Sequence, residues 1–241
     1  WWETLKKLYQ FNSTSYAFFV QALECQFYEV GDPKQREYIQ LLDSGLPIIT
    51  IAHWLKSHLQ QYYHVPESLI QTILNPIDQN LWKPTSPMIE KSTKPRFLIE
   101  GPSSDKRKNI IPLIHLLEKC EMEYIWVGAV VDRSLVGKQC IAVLESIPYG
   151  QMPSVYSSCD ILIKISNSEG MFGPPLEMFS TGGSAIVWDV WGAEEYMTHL
   201  YNCFMVPMNS FAAVKDAIIE LSLNHSLLNQ LKSNALETAK N

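Results

Sequence analysis

Two carboxylates eight positions apart, Glu169 and Glu177, are the residues of this chain best placed by type and spacing to do chemistry. They bracket the run Ser168-Glu169-Gly170-Met171-Phe172-Gly173-Pro174-Pro175-Leu176-Glu177, with two glycines and a Pro-Pro pair able to open a helix. Glycine lets backbone approach a ligand closely. A helix N-terminus offers unpaired N–H groups and partial positive charge, which suit a phosphate. An ionised Glu is a pure acceptor and suits the hydroxyls of a sugar or ribose. The run is therefore expected to hold a sugar nucleotide. The plainer reading keeps both acids as surface charges, Glu177 in a first helical turn where acids are favoured anyway.

A second constellation is Glu100-Gly101-Pro102-Ser103-Ser104-Asp105-Lys106-Arg107-Lys108-Asn109. Cations at a helix start oppose the helix dipole. A diphosphate would compensate through charge-assisted hydrogen bonds. Gly101, Arg107 and Lys108 are the candidates; a solvated basic run is the alternative. The spacing is not that of a P-loop. A third segment, Trp188-Asp189-Val190-Trp191-Gly192-Ala193-Glu194-Glu195-Tyr196, brings Glu195 towards the same crevice or merely starts a helix with acids. The six histidines form no metal pattern, and no cysteine has the sequence signature of a nucleophile.

The elements that must position these residues alternate strand and helix, the signature of a parallel α/β sheet. Strands are expected at 16–20, 47–51, 71–74, 96–100, 124–128, 140–144, 160–165, 184–188 and 203–207. Helices are expected at 34–42, 54–62, 108–119, 153–158, 211–223 and 226–240. Each constellation follows a strand and opens a helix, so all should face the crevice at the carboxyl ends of the strands. Pro76, Pro84, Pro87 and Pro95 mark a change of texture, read as an interdomain linker at 81–95. The divisions expected are 1–80, a linker at 81–95, a doubly wound domain at 96–225, and a C-terminal helix at 226–241.

Composition limits the alternatives. A formal charge of −6 argues against a nucleic-acid binder. Five scattered cysteines without CxxC pairing suggest neither a disulfide framework nor a zinc site, and a reducing cytoplasm is expected. No apolar run approaches the ~18–20 residues that span a bilayer. A chain starting Trp1-Trp2 is expected to be a piece of a longer one.

The acidic run resembles the retaining family-four glycosyltransferases of the GT-B fold, whose hallmark is two glutamates separated by seven residues around a Gly-Phe-Gly-Leu-Pro-Pro-Leu-Glu-like stretch. Phe172-Gly173, Pro174-Pro175-Leu176 and Glu177 match it. Glu195-Tyr196, Asn75-Pro76-Ile77-Asp78 and His53-Trp54-Leu55 are similar to further family segments. The resemblance covers roughly residues 45–225 and leans toward enzymes that build bacterial surface polysaccharides. It implies a Rossmann-like donor-binding domain preceded by the latter part of an acceptor-side Rossmann-like domain. It implies that Glu177 binds the nucleotide ribose. Glu169, with the Gly170, Met171, Phe172, Gly173 and Pro174 backbone, would hold the donor sugar. Lys108 with Arg107 would neutralise the leaving diphosphate. The implied reaction is retaining, with no metal and no cofactor. The acceptor would be a glycan or lipid-linked hydroxyl, at the cytoplasmic face of a membrane through peripheral association. Pro102 stands where the family commonly has Arg, and Met171 is interposed before Phe172. The alternatives are a nucleotide-sugar-binding module without transfer, and an epimerase or phosphorylase of the same fold.

Overall fold

A computed structural model describes residues 2–10 and 15–240; Trp1 and Asn241, the outermost residues of the expected divisions, lie outside them. The chain forms two compact units. The first comprises Trp1–Pro76 together with Glu169–Met171; the second comprises Ile77–Ser168 and Phe172–Asn241.

The first unit holds a three-stranded parallel sheet of β1 (Phe18–Val20), β2 (Ile48–Thr50) and β3 (Ile70–Thr72), in that order. Two helices accompany it, α1 (Pro33–Leu42) and α2 (His53–Tyr63). Pro33 opens α1, and the Asp32 side chain caps it by accepting from the Lys34 amide at 2.7 Å. Leu55 and Leu59 of α2 and Ile48 of β2 are buried in a core that also takes Trp2 and Tyr38. Trp2 lies in a 3-10 helix, Trp2–Gln10, that the sequence periodicity does not announce.

The second unit is built on six parallel strands: β4 (Phe97–Glu100), β5 (Tyr124–Gly128), β6 (Cys140–Glu145), β7 (Ile161–Lys164), β8 (Ser184–Asp189) and β9 (Phe204–Pro207). Their order in space is β6-β5-β4-β7-β8-β9. The chain winds outward through β5 and β6, returns to the middle, and winds outward the other way. This is the order of dinucleotide-binding doubly wound sheets, with the strand order reversing between β4 and β7. Phe97, Leu98 and Ile99 of β4 and Ile161, Leu162 and Ile163 of β7 are all buried, because helices cover both faces of such a sheet. The helices are α3 (Ile110–Lys119), α4 (Met152–Tyr156), α5 (Gly173–Ser180), α6 (Phe211–Leu223) and α7 (His225–Thr238).

Three segments sit as follows. Residues 81–95 cluster with the second unit rather than standing apart as a linker. The reason is Trp82, buried to 2% exposure, whose ring packs edge-on to Tyr149 and Tyr156 and whose indole N–H donates to the Tyr149 hydroxyl at 2.8 Å. The helix at 226–240 also joins this unit, burying Leu228, Leu231 and Ala235. Finally, α3 starts at Ile110 and not Lys108. Asn109 adopts a left-handed conformation (φ 53°), so Lys106–Lys108 form a separate 3-10 turn ahead of the helix. The cations therefore do not sit within the first turn of α3.

Asp160, just before β7, ties distant segments to the amino end of the sheet. Its carboxylate accepts from Lys91 Nζ at 2.9 Å, from Lys232 Nζ of α7 at 2.7 Å and from the Arg96 amide at 3.2 Å. Burial pushes this carboxyl up, but the ammonium groups of Lys232 and Lys91 together outweigh it, so Asp160 titrates below its ordinary range. A depressed acid stabilises the fold at neutral pH, and that contribution disappears as pH falls through the lowered pKa. Asp160→Asn is expected to cost about 2 kcal/mol at neutral pH, from lost charged hydrogen bonds. In urea unfolding, the gap between variant and wild type should narrow as pH falls through the lowered carboxyl pKa of Asp160, where the wild-type carboxylate itself protonates.

Candidate functional site

The carboxyl ends of β4 and β7 carry an ion pair. Lys164 Nζ donates to the Glu100 carboxylate, with the lysine side chain only 4% exposed and the glutamate 28%. The two residues stand on adjacent strands at the point where the strand order reverses, the place where open α/β sheets bind ligands.

Glu177, on α5, is half-buried and lies within the electrostatic reach of the same pair. Burial pushes its pKa up to about 7; the Tyr156 hydroxyl opposes this, the Glu100 charge adds to it, and the Lys164 ammonium opposes it. Tyr156 comes from α4 and is buried, and burial together with the Glu177 and Glu100 charges raises its own pKa. Its hydroxyl makes no hydrogen bond of standard geometry, so proximity to the Glu177 carboxyl is what acts on both groups. The Ser166 hydroxyl, just beyond β7, is a second buried hydroxyl without a hydrogen-bond partner. Beside Glu100 a cavity of ≈ 240 Å³ opens at the ends of β4, β5 and β6, lined among others by Gly128, Ser146, Tyr149 and Met152.

Around this cluster the loops are fixed by backbone chemistry. Gly101 (φ 127°) takes a conformation that glycine tolerates and side chains resist. Its N–H donates to the Val127 carbonyl at 3.0 Å, and its carbonyl accepts from the Trp126 indole at 2.9 Å. Asn109 clamps this loop to the one after β7, donating from Nδ2 to the Ile165 carbonyl at 2.8 Å and to Asn167 Oδ1 at 2.6 Å. The Asn167 amide returns a bond to the Arg107 carbonyl at 2.9 Å. Arg107 itself turns back on Asp105, with Nε and Nη2 bonded to the two carboxylate oxygens at 3.0 and 2.9 Å. That pairing, with the Arg107 amide, lowers the Asp105 pKa. Lys108 is half-buried and packs its stem near Gly101.

The run 168–177 is divided between the two units. Phe172 is buried in the core of the second unit, and its carbonyl accepts from the Tyr196 hydroxyl. Gly173, Pro174 and Pro175 begin α5 with no side-chain cap. Neither proline carries an N–H, so of these three residues only Gly173 offers an amide donor. The anion-binding capacity expected of this helix start is correspondingly small. Glu195 lies in the 3-10 turn after β8, half-buried, next to the Tyr196 that anchors Phe172. The glycines Gly182 and Gly183 close α5: their amides donate to the Phe179 and Met178 carbonyls at 3.1 and 2.9 Å, a C-terminal capping motif.

Glu169, Gly170 and Met171 cluster with the first unit. There the Gly170 carbonyl accepts from the Trp54 indole, and a Cβ at Gly170 would stand 1.6 Å from the Gln21 carbonyl oxygen. Close backbone packing therefore accounts for this glycine. Met171 packs on the core of the same unit.

Sequence reasoning did not single out Glu100, Lys164, Tyr156 or Asn109 as site residues. Lys164 carries a signal that could have been used: a charge inside the apolar run Ile161-Leu162-Ile163-Lys164-Ile165 is costly to bury without a partner. Glu100 was visible only as a strand end, and nothing in the sequence pairs it with a residue 64 positions later.

Glu177 is a carboxyl whose burial works against the fold. An acid with a raised folded pKa binds its proton more tightly when folded, so stability falls as pH rises from its unfolded value through about 7. Glu177→Gln is therefore expected to stabilise the second unit by on the order of 2 kcal/mol above pH 8 and to change little at pH 4.5. Thermal melts across that range check the prediction; equal Tm values for variant and wild type at pH 8 would contradict it.

Residues 134–238 match the family model described as glycosyl transferases, group 1. A search of curated proteins by sequence finds no match. Among solved structures, a sucrose-phosphate synthase from Thermosynechococcus elongatus is similar with a TM-score of 0.81 and 16% identity, over 99% of this chain and 66% of its own. HepE from Anabaena, solved in complex with UDP-glucose, gives 0.73 and 16%, over 94% and 67%. The C-terminal domain of LpcC, a glycosyl transferase group 1 family protein from Francisella tularensis, gives 0.57 and 16%, over 68% and 96%. This chain spans less than two thirds of the length of the first of these. The chain thus has an α/β fold with parallel sheets, shared with structures that include glycosyltransferases, and a segment matching the group 1 glycosyltransferase model.

Proposed function

We propose that this chain is the donor-binding part of a glycosyltransferase that uses a nucleoside diphosphate sugar. The observation that carries the reading is the Glu100–Lys164 pair at the switch point of a six-stranded parallel sheet, with a cavity lined by Glu100 and with the half-buried carboxyl of Glu177 on α5 within the pair's electrostatic reach. Carboxyls whose surroundings raise their pKa near a specific charge partner are functional-site candidates. The match to group 1 glycosyl transferases over 134–238 includes Glu177 and supports the assignment. HepE, of similar fold, was solved with UDP-glucose, which makes UDP-sugars the first donors to test.

In this reading the Glu177 carboxylate accepts from the ribose hydroxyls, and the base lies in the cavity at the ends of β4, β5 and β6. Lys108, with Arg107 once released from Asp105, meets the diphosphate; Gly101 lets the backbone approach it. Glu169, the Gly170–Pro174 backbone and Glu195 attend the donor sugar. The chemistry is displacement of a nucleoside diphosphate by an acceptor hydroxyl with retention at the anomeric carbon. Catalysis comes from stabilising charge on the leaving diphosphate and from positioning in a site that excludes water, without a metal or cofactor. A glycan or lipid-linked acceptor, a role in polysaccharide assembly and a cytoplasmic location, with peripheral attachment to the membrane, complete the proposal. Among the described residues no helix is long and apolar enough to cross a membrane.

UDP-glucose binding by calorimetry tests the assignment, with donor hydrolysis and transfer measured alongside. Glu177→Ala and Lys108→Ala are each expected to weaken donor affinity or slow turnover by on the order of 100-fold, in line with losing one charge-assisted contact at a developing charge. Wild-type affinity and turnover in both variants, against UDP-, GDP-, ADP- and dTDP-sugars alike, would remove the basis of the assignment. Binding with neither hydrolysis nor transfer would identify a nucleotide-sugar-binding module instead.

A further inference from the structure

Tyr149 carries a ring that is held at its tip and open on its face. Its hydroxyl accepts from the buried Trp82 indole at 2.8 Å, and the two rings meet edge-on with centroids 5.8 Å apart. Trp82 is itself fixed. Its ring packs against Tyr156 at 5.2 Å, and its amide donates to the Asp78 carbonyl at 2.7 Å. The backbone at Tyr149 is set as well, because it begins the 3-10 turn Tyr149–Gln151 behind Pro148, closed by the Gln151 amide on the Pro148 carbonyl at 2.8 Å. Yet Tyr149 is 61% exposed, and it lines the same cavity as Glu100. Ordering a side chain costs entropy that burial normally offsets. Most of that burial is missing here, and a ligand in the cavity would complete it.

The other walls indicate what kind of ligand fits. Glu100 is engaged with Lys164, and the Ser146 hydroxyl donates to the Ala129 carbonyl at 3.0 Å. Val127, Ile147 and Met152 add apolar surface. A volume of ≈ 240 Å³ has room for a flat heterocycle. Such a ring gains most by lying against an aromatic face, and every nucleobase has a π-face to offer.

We propose that Tyr149 is the stacking wall for the nucleobase of the donor, and that Trp82 is its positioning residue, fixing the ring before the ligand arrives. This inference rests on the donor reading above, which puts the base in this cavity. A wall ordered in advance spares the ligand the entropy of ordering it, so the Trp82–Tyr149 hydrogen bond acts on affinity without touching the ligand. Two consequences separate stacking from packing of the fold. Loss of the ring weakens uracil and adenine nucleotides alike, because stacking is tolerant of base identity. A ligand of ribose and diphosphate without a base does not feel the loss.

Contact is read by NMR in the whole chain with labelled tyrosine. Saturating the Tyr149 ring resonances, identified by their disappearance in Tyr149→Phe, is expected to transfer to the base protons of bound UDP. Calorimetry reads the energetics. Tyr149→Ala should weaken UDP and ADP each by about tenfold or more, and leave ribose 5-diphosphate binding as in wild type. Tyr149→Phe keeps the ring and should recover most of that loss, staying within about threefold of wild type. Trp82→Phe breaks the same hydrogen bond from the other side, so it should weaken UDP to a similar degree, and the double Phe variant no further than either single one.

Absence of transfer from Tyr149 to the base of bound UDP would overturn the inference, as would wild-type UDP and ADP affinity in Tyr149→Ala. Equal weakening of UDP and ribose 5-diphosphate in that variant would make Tyr149 structural and overturn it too. Each of these results leaves UDP binding, and so the donor reading, intact. The transfer measurement needs only wild type and Tyr149→Phe, and it decides the matter if Tyr149→Ala does not fold. Failure of wild type to bind any of UDP, ADP and GDP would overturn the donor reading and this inference together.

Discussion

Reversal of strand order between β4 and β7 is the constraint on which the second unit's chemistry depends. Two neighbouring parallel strands whose following connections run in opposite directions leave an open crevice at their carboxyl ends. Polar side chains can stand there with both strands packed beneath them. Glu100 and Lys164 occupy those two strand ends. Their bond joins elements far apart in sequence and puts charge where the sheet would otherwise be apolar.

The surrounding loops serve to hold this arrangement still. Gly101 bends sharply to bring its carbonyl to the Trp126 indole, and Asn109 ties the loop after β4 to the loop after β7. The same Asn109, in left-handed conformation, separates three cations from the helix that follows. This relieves the conflict between those cations and the α3 dipole without any ligand being required. Arg107 finds its counter-charge in Asp105, two residues away. The opposite end of the sheet is secured by Asp160 and its two lysines, a solution in which charge stabilises the fold. Glu177 is the contrary case: its burial opposes ionisation, and the fold would be more comfortable without it. A carboxyl whose surroundings oppose its ionisation, near a strand-end ion pair, is a candidate binding or catalytic residue.

Much of the architecture was legible from local pattern. The apolar runs at 97–100, 124–128 and 161–164 are strands in the structure, and the helix at 211–223 has the bounds its periodicity indicates. Misplaced boundaries trace to single backbone conformations, as at Asn109, which short-range patterns do not reveal. The proline-bearing stretch 81–95 looked like a linker because proline restricts its neighbours. What decided its place was Trp82, whose burial against Tyr149 and Tyr156 needs partners about 70 positions away. The run from Ser168 to Glu177 was legible as a motif but not as a geometry. Its glycines answer to different demands, Gly170 to close backbone packing on Gln21 and Gly173 to the start of α5.

By itself, the sequence determined the element types and the parallel α/β class, because hydrophobic periodicity and turn residues act locally and are written locally. It also marked Glu177 and the glycine-led loop at Gly101 as chemically unusual. Only the tertiary structure decided which charges share a field. Glu100, Tyr156, Lys164 and Glu177 come from four separate elements, and their coupling depends on Coulomb forces in a buried place whose dielectric exists only once the sheet has closed around it.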